Sequence, residues 1–361
     1  MVHNYRQSMQ TKSTPKCTVS IVGARGYSGV ELAKLLVHHP HADFRYAFAT
    51  KDFQLSDDIV DGSAVNVKCL TEDQLDSHLT DVVFLATPAE TSIHLAAKIL
   101  KAGKKVIDLS GAFRLKKSDI NKWYGFENQE TALLQEAEYG LAPFCGPSKS
   151  ESRLIANPGC YATAVSLALI PLLKHNLIDA GSICIDAKSG TTGAGRKAGE
   201  NLLFSEVDGD CLPYKVGKHQ HFPEIQETVE KFSGAKINPH FVTELLPCKR
   251  GILATIMATA KTTDITAIEK AFLAEYGQYP LVRHGRNIAQ LAKLSHVVNT
   301  PFAHISYELT ENKLYVFSVL DNLMKGAASQ AVENFNRLLD LPLSFSLTTE
   351  APPALKQETV G

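Results

Sequence analysis

The seven cysteines of this 361-residue chain are scattered, odd in number and never spaced Cys-x-x-Cys. That excludes the disulfide framework of a small secreted domain and suits reduced thiols in a cytoplasmic protein. No apolar run approaches the length of a membrane span, and residues 1–16 lack the apolar core of a secretory signal. Charge of one sign is also missing, since 37 Lys and Arg face 38 Asp and Glu for a net charge of -1. Nothing electrostatic therefore draws the chain to nucleic acid or to an anionic membrane. Internal repeats and low-complexity blocks are absent too. What remains has the composition of an ordinary soluble globular protein, with 44% hydrophobic residues and a length that allows two domains and a proper core.

Residues 18–22, TVSIV, form a β-branched strand that runs into Gly23-Ala-Arg-Gly-Tyr-Ser-Gly29 and then an apolar stripe at helical spacing, closed by Pro40. A strand at 44–49, a continuous apolar run at 81–87, a helix over 91–103 and the strand KKVIDLSG follow. Strand and helix alternate, which predicts an α/β fold with a doubly wound parallel sheet of Rossmann type. Beyond residue 160 the long β runs 182–189, 252–260 and 313–319 predict an α+β domain on a mostly antiparallel sheet. Residues 321–340 read as one long amphipathic helix that packs back on the first domain. Residues 1–16 read as a flexible extension, and the Ser-, Thr-, Pro- and Glu-containing stretch 343–361 as a tail outside the fold.

Seven stretches carry chemistry. In the first turn, Gly23, Gly26 and Gly29 let backbone approach a pyrophosphate, and Arg25, Tyr27 and Ser28 flank the helix start that would face it. The second strand ends in Thr50-Lys51 where NAD enzymes usually place an acid, so a 2′-phosphate and NADP are favoured, with Asp52 the feature that would restore NAD. Thr87 and Pro88, at the end of the 81–87 run, stand where such folds pass the cofactor. Ser110 and Arg114, in SGAFR, lie at a strand's C-terminal end, where the guanidinium could meet a phosphate or carboxylate or form a plain ion pair. In NPGCYATA a turn from Asn157 delivers Cys160 to a helix start, where a thiol is easier to ionise and an oxyanion finds N–H donors. Burial as a small apolar residue is the competing reading of that cysteine.

The loop KSGTTGAGRKA holds Ser189, Gly190, Gly193, Arg196 and Lys197 close to any ligand. In HQHFPEI, His219 and His221 could ligate metal, but no further ligand set sits nearby at recognisable spacing, so no metal is expected. A neutral imidazole can instead be base to the thiol, with Glu224 orienting a ring. Of the two histidines, His219 is favoured because Glu224 follows it around the turn.

The segments GARGYSGVEL, DVVFLATPAE, DLSGAFR, YGFEN, YGLAPF, NPGCYATA, KSGTTGAGRKA, HQHFPEI, PCKRGIL and DNLMKGAASQA run in order from Gly23 to Ala331. Together they resemble the N-acetyl-gamma-glutamyl-phosphate reductases of arginine biosynthesis. The related aspartate-semialdehyde dehydrogenases share the glycine turn, a cysteine and a DNLxKGAA-like segment, whereas SGAFR, PGCYxTA and HxHxPEI mark the acetylglutamyl branch. The resemblance implies a cofactor domain over 17–159 and 322–342 and a catalytic and oligomerisation domain over 160–321. It implies Cys160 as nucleophile, NADPH as cofactor, and an acyl phosphate reduced to a semialdehyde with release of phosphate. By the same likeness Asn322 would hold the nicotinamide amide. Asn157, Ser110, Arg114, Arg196, Lys197 and Arg250 would meet the substrate, and the chain would form a homodimer or homotetramer. An aspartate-semialdehyde-type dehydrogenase acting on another acyl phosphate is the alternative.

Overall fold

The structure, a computed structural model, describes residues 17–147, 152–196 and 199–349. The candidate Lys197 and the expected extension 1–16 lie outside the described residues. Seven parallel strands form the first sheet: β1 (Cys17–Val22), β2 (Ala42–Ala49), β3 (Lys68–Thr71), β4 (Val82–Leu85), β5 (Lys105–Asp108), β6 (Glu138–Tyr139) and β7 (Leu154–Ala156). Their order is β3-β2-β1-β4-β5-β7-β6, so the winding reverses between β1 and β4 and opens a crevice at the C-terminal strand ends. β4 is buried along its whole length, as a strand covered on both faces must be.

The second sheet contains β8 (Cys184–Ser189), β9 (Leu212–Pro213), β10 (His240–Leu245), β11 (Ile252–Thr259), β12 (Val282–Gly285), β13 (Ala303–Thr310) and β14 (Lys313–Leu320), in the order β12-β13-β14-β11-β8-β10-β9. Its centre, β13-β14-β11-β8, is antiparallel, while β12 joins β13 and β10 joins β8 in parallel. Its core face packs on the helix Cys160–Lys174, whose residues Tyr161 to Leu173 are all buried. A helix apolar on every side belongs at the centre of a domain. Pro171 sits inside it and cannot donate to the carbonyl one turn back. The Tyr276 hydroxyl donates to that carbonyl, Leu167 O, at 2.6 Å, so this acceptor is not orphaned.

Two expectations need correction. The long helix over 321–340 is shorter: it runs from Ser329 to Leu338, after a wider turn at Met324–Ala328. Asp321 causes the break, since its Oδ1 accepts from the N–H groups of Leu323 and Met324 at 2.8 and 3.1 Å. The helix does carry Ala331, Val332 and Phe335 into the core beside Val19 and Ile21. Residues 343–349, expected outside the fold, turn back onto it. Asn336 Nδ2 donates to the carbonyls of Leu343 and Phe345 at 3.0 and 2.9 Å, and the Phe345 ring lies 5.5 Å from His39. Apolar Leu343, Phe345 and Leu347 outweigh the polar composition around them.

Candidate active site

β7 ends at Ala156, and the turn Asn157–Gly159 puts Cys160 at the first position of the buried helix. The turn is held from the far end of the chain. Asn157 Nδ2 donates to Ala327 O at 3.1 Å, and Asn334 Nδ2 donates to Asn157 Oδ1 at 3.0 Å. A Cβ on Gly326 would lie 2.7 Å from Cys160 Cβ, so only glycine lets the 324–328 turn seat against the cysteine side chain. Asn157 is thus a structural pin, with its carboxamide engaged at both ends.

The half-buried Cys160 thiol does not show the acidity expected of a helix start. Burial pushes it up to about 11, against the pull of Arg114 and the main-chain N–H groups of Tyr161 and Cys160. The resting group is a thiol, and its attack on a carbonyl calls for a base.

The groups around it converge on Glu224, which is fully buried. Its Oε1 accepts from Gly159 N at 2.7 Å and from the Tyr139 hydroxyl at 2.8 Å, and Oε2 accepts from the Tyr124 hydroxyl at 3.2 Å. Arg114 Nη1 lies 3.6 Å from the same oxygen, and His221 Nε2 lies 4.0 Å from it. Tyr124 and Tyr139, the first residues of YGFEN and YGLAPF, carry no spacing signal in the sequence that ties them to this carboxylate.

Glu224 was expected to meet His219 but stands instead beside His221, three residues earlier on the same helical turn. His219 has another role. Its Nδ1 accepts from the main-chain N–H of His221 at 3.1 Å, and burial pulls its pKa down to about 2. A neutral ring with Nδ1 as acceptor carries its proton on Nε2, so it can donate to an oxyanion but cannot take a proton there. Burial, then the Arg114 charge, also holds His221 well below the usual imidazole range. Its Nδ1 is buried and has no hydrogen-bond partner among the described residues. Cys160, Ser189, Gly190, Gly193, His219 and His221 all line one cavity of about 400 Å³. Among the described residues no group of three or more His, Cys, Asp or Glu side chains is arranged to hold a metal ion. A second cavity, about 550 Å³ at the β12 edge and lined by Arg283 and Arg286, contains neither thiol nor glycine turn.

The glycine turn suits a dinucleotide. Gly23 has φ 84°, and a Cβ there would lie 2.4 Å from Ala86 O; a Cβ on Gly29 would meet Gly23 O at 2.3 Å. These two glycines let β1, the turn and the helix Tyr27–Leu36 close on one another beside β4. That helix begins at Gly26 with no side-chain cap and no acid in its first turn, leaving its N–H groups to a pyrophosphate. Arg25 is exposed, as are Thr50 and Lys51 at the end of β2, and Pro88 caps the helix after β4 with Thr87 bonded to Ser92.

Other candidates are held by the protein itself. Ser110 Oγ donates to Asp108 at 2.8 Å. Arg114 donates from Nε to Asn157 O at 2.8 Å and from Nη2 to Leu109 O at 2.7 Å, so bidentate phosphate binding is replaced by a fixed cation beside Gly159. Arg250 bridges Glu31 at 3.2 Å and buried Asp321 at 2.9 Å. Asn322 accepts from Gly251 N at 2.8 Å and donates to Thr192 Oγ1 at 3.0 Å, positioning the 190–193 loop. Arg196 reaches over the Tyr27 ring at 5.2 Å and pairs with Asp58 at 3.4 Å.

Comparison with known proteins agrees with this geometry. Residues 18–150 match the semialdehyde dehydrogenase NAD binding domain, and 160–322 match the semialdehyde dehydrogenase dimerisation domain. N-acetyl-gamma-glutamyl-phosphate reductase of Geobacillus kaustophilus is 40% identical over 331 residues, covering 89% of this chain and 95% of that one. The Bacillus subtilis protein of that name is 39% identical, over 88% and 94%. Among solved structures, aspartate semialdehyde dehydrogenase II from Vibrio cholerae, complexed with ASA, superposes with a TM-score of 0.68 at 15% identity, covering 91% of this chain and 99% of that one. The Candida albicans enzyme with NADP gives 0.65 at 12%, over 90% and 98%. The chain is an oxidoreductase that belongs to the N-acetyl-gamma-glutamyl-phosphate reductase family, within the semialdehyde dehydrogenases.

Proposed function

We propose that this protein reduces N-acetyl-L-glutamyl 5-phosphate to N-acetyl-L-glutamate 5-semialdehyde, with NADPH as reductant and a thioester on Cys160. One observation carries the reading: a thiol at the head of a buried helix shares a cavity with two imidazoles kept neutral by burial. The exposed Lys51, where an NAD enzyme carries an acid, supports a 2′-phosphate.

Glu224, 4.0 Å from His221 Nε2, favours the ring proton there and leaves a lone pair on Nδ1, so His221 rather than His219 is assigned as base. Cys160 Sγ bonds to the acyl carbon while the bond to phosphate oxygen breaks. His221 takes the thiol proton and passes it to the phosphate, which leaves as hydrogen phosphate. When bound, the dinucleotide supplies the hydride that a thioester accepts more readily than a carboxylate. The N–H groups at the helix start and the His219 Nε2–H would steady the resulting oxyanion. Collapse breaks the C–S bond, frees the aldehyde and leaves a thiolate, to which His221 relays one solvent proton.

Residues 17–159 with 322–342 serve as the cofactor half and 160–321 as the catalytic half. The match of 160–322 to a dimerisation domain supports assembly as a homodimer or homotetramer. The test runs the reaction backwards, following NADP+ reduction with acetylglutamate semialdehyde or aspartate semialdehyde, each with and without phosphate. Phosphate-dependent turnover of the acetylated substrate is expected, and preference for aspartate semialdehyde would refute the reading. Cys160→Ser should abolish turnover while NADPH still binds, because serine lacks both the acidity and the leaving ability of a thiol. Turnover within tenfold of wild type (~1.4 kcal/mol) would remove the covalent step.

A further inference from the structure

The substrate proposed above carries two anionic groups, the departing phosphate and the carboxylate at the other end. The active-site cavity must meet both, yet the arginines that the sequence offered are engaged elsewhere. Arg114 is fixed by two carbonyls and Glu224, Arg250 by Glu31 and Asp321, and Arg196 by Asp58. Among the described residues lining the cavity there is no carboxylate and one ammonium or guanidinium, that of Lys215.

Lys215 is placed by a backbone that side chains rarely adopt. Its φ is 47°, in the left-handed region, and such strain gathers where a structure needs a side chain in one spot. Nζ donates to the neutral Gln220 Oε1 at 2.8 Å, which orients the charge without neutralising it. The charge reaches the cavity, since it helps depress both His219 and His221. At the thiol the cationic influence comes from Arg114 instead. The two cations therefore act at different places, Arg114 beside the thiol and Lys215 at the exposed rim of the cavity.

We propose that Lys215 binds the substrate carboxylate, the group remote from the reacting carbonyl, and so selects an acylamino acid side chain over an uncharged aldehyde. The proposal rests on the function proposed above, and the experiment separates the two. Reverse kinetics are measured with acetylglutamate semialdehyde, phosphate and NADP+ for wild type, Lys215→Asn, Lys215→Arg and the exposed neighbour Lys218→Asn. Asparagine tolerates the left-handed backbone, so the variant loses the charge without added strain.

Lys215→Asn should raise KM for the semialdehyde by about 10- to 100-fold, the usual loss for one charge-assisted hydrogen bond. KM for phosphate should stay within about twofold, Lys215→Arg should recover most of the loss, and Lys218→Asn should match wild type. The wild-type preference for the semialdehyde over 4-acetamidobutanal, the same molecule without its carboxylate, should collapse in Lys215→Asn. An unchanged semialdehyde KM, or a rise in the phosphate KM instead, overturns the assignment while the function stands. Failure of wild type to use the semialdehyde at all overturns both.

Discussion

Replacing Glu224 by Gln should lower stability and turnover while making the Cys160 thiol more reactive, an unusual pairing of signs. The glutamine keeps the shape and one acceptor oxygen, enough for Gly159 N, but turns an NH2 toward Arg114 or the tyrosine hydroxyls. Arg114, itself buried, then loses its foremost counter-charge and keeps only the weaker influence of Asp108. Breaking a buried pair from one side costs about 3–5 kcal/mol, and the retained bond places this case near 3. That corresponds to roughly 4 °C in Tm for a chain of this size, read by scanning calorimetry.

The thiol moves the other way. Burial raises the Cys160 pKa most, the Arg114 charge lowers it and the Glu224 charge raises it, so removing the Glu224 charge leaves burial alone to oppose Arg114. Each unit of downward shift gives about tenfold more thiolate, visible as faster alkylation by iodoacetamide at pH 7.5. Turnover should nonetheless fall about 100-fold, because His221 loses the carboxylate that sets its proton. Alkylation no faster than in wild type, or undiminished turnover, would refute the role given to Glu224.

Lys51→Glu should weaken NADPH far more than NADH, because a carboxylate would then face the 2′-phosphate; equal loss of both would place that phosphate elsewhere. His221→Asn should cost about 10²–10⁴-fold in rate and His219→Asn less, with phosphate-burst amplitudes as the readout; the reverse order would restore His219 as base. The acid limb of kcat/KM should lie well below the ordinary imidazole value of about 6.5, since burial depresses both rings. Buried His39, His219 and His221 and half-buried His284 are all depressed, so the unfolded chain binds more protons than the folded one. Their contribution to stability is complete above about pH 6.5 and is lost as pH falls below it, by up to about 1.4 kcal/mol per unit for each ring. A Tm unchanged between pH 7 and 5 would contradict this.

Local chemistry made much of this legible. Gly23 and Gly29 announce a turn because glycine alone fits there, and Cys160 was found because Asn-Pro-Gly marks a turn before an apolar run. The Glu224 centre was not legible, because Arg114, Tyr124, Tyr139, Gly159 and His221 come from separate segments and meet only through tertiary packing. Spacing alone tied Glu224 to His219, whereas the helix turn starting at His221 decides the partner. The charges of Arg114 and Arg250 suggested ligands, yet buried partners claimed both. The turn at 324–328 is not legible because amphipathic periodicity continues through it, and the capping by Asp321 that breaks the helix is a matter of side-chain geometry.

The Gly326 contact also sets an order of events during synthesis. The ribosome makes Cys160, and later both histidines, well before residues 324–334 leave the exit tunnel. Until then Gly326 is not against the cysteine, and the Asn157 turn has neither Ala327 nor Asn334 to pin it. Contacts that span some 170 positions close late and carry a high loop-closure cost. A nascent or truncated chain therefore carries Cys160 and the two histidines without the seat that aligns them, and that seat arrives only as the final helix docks.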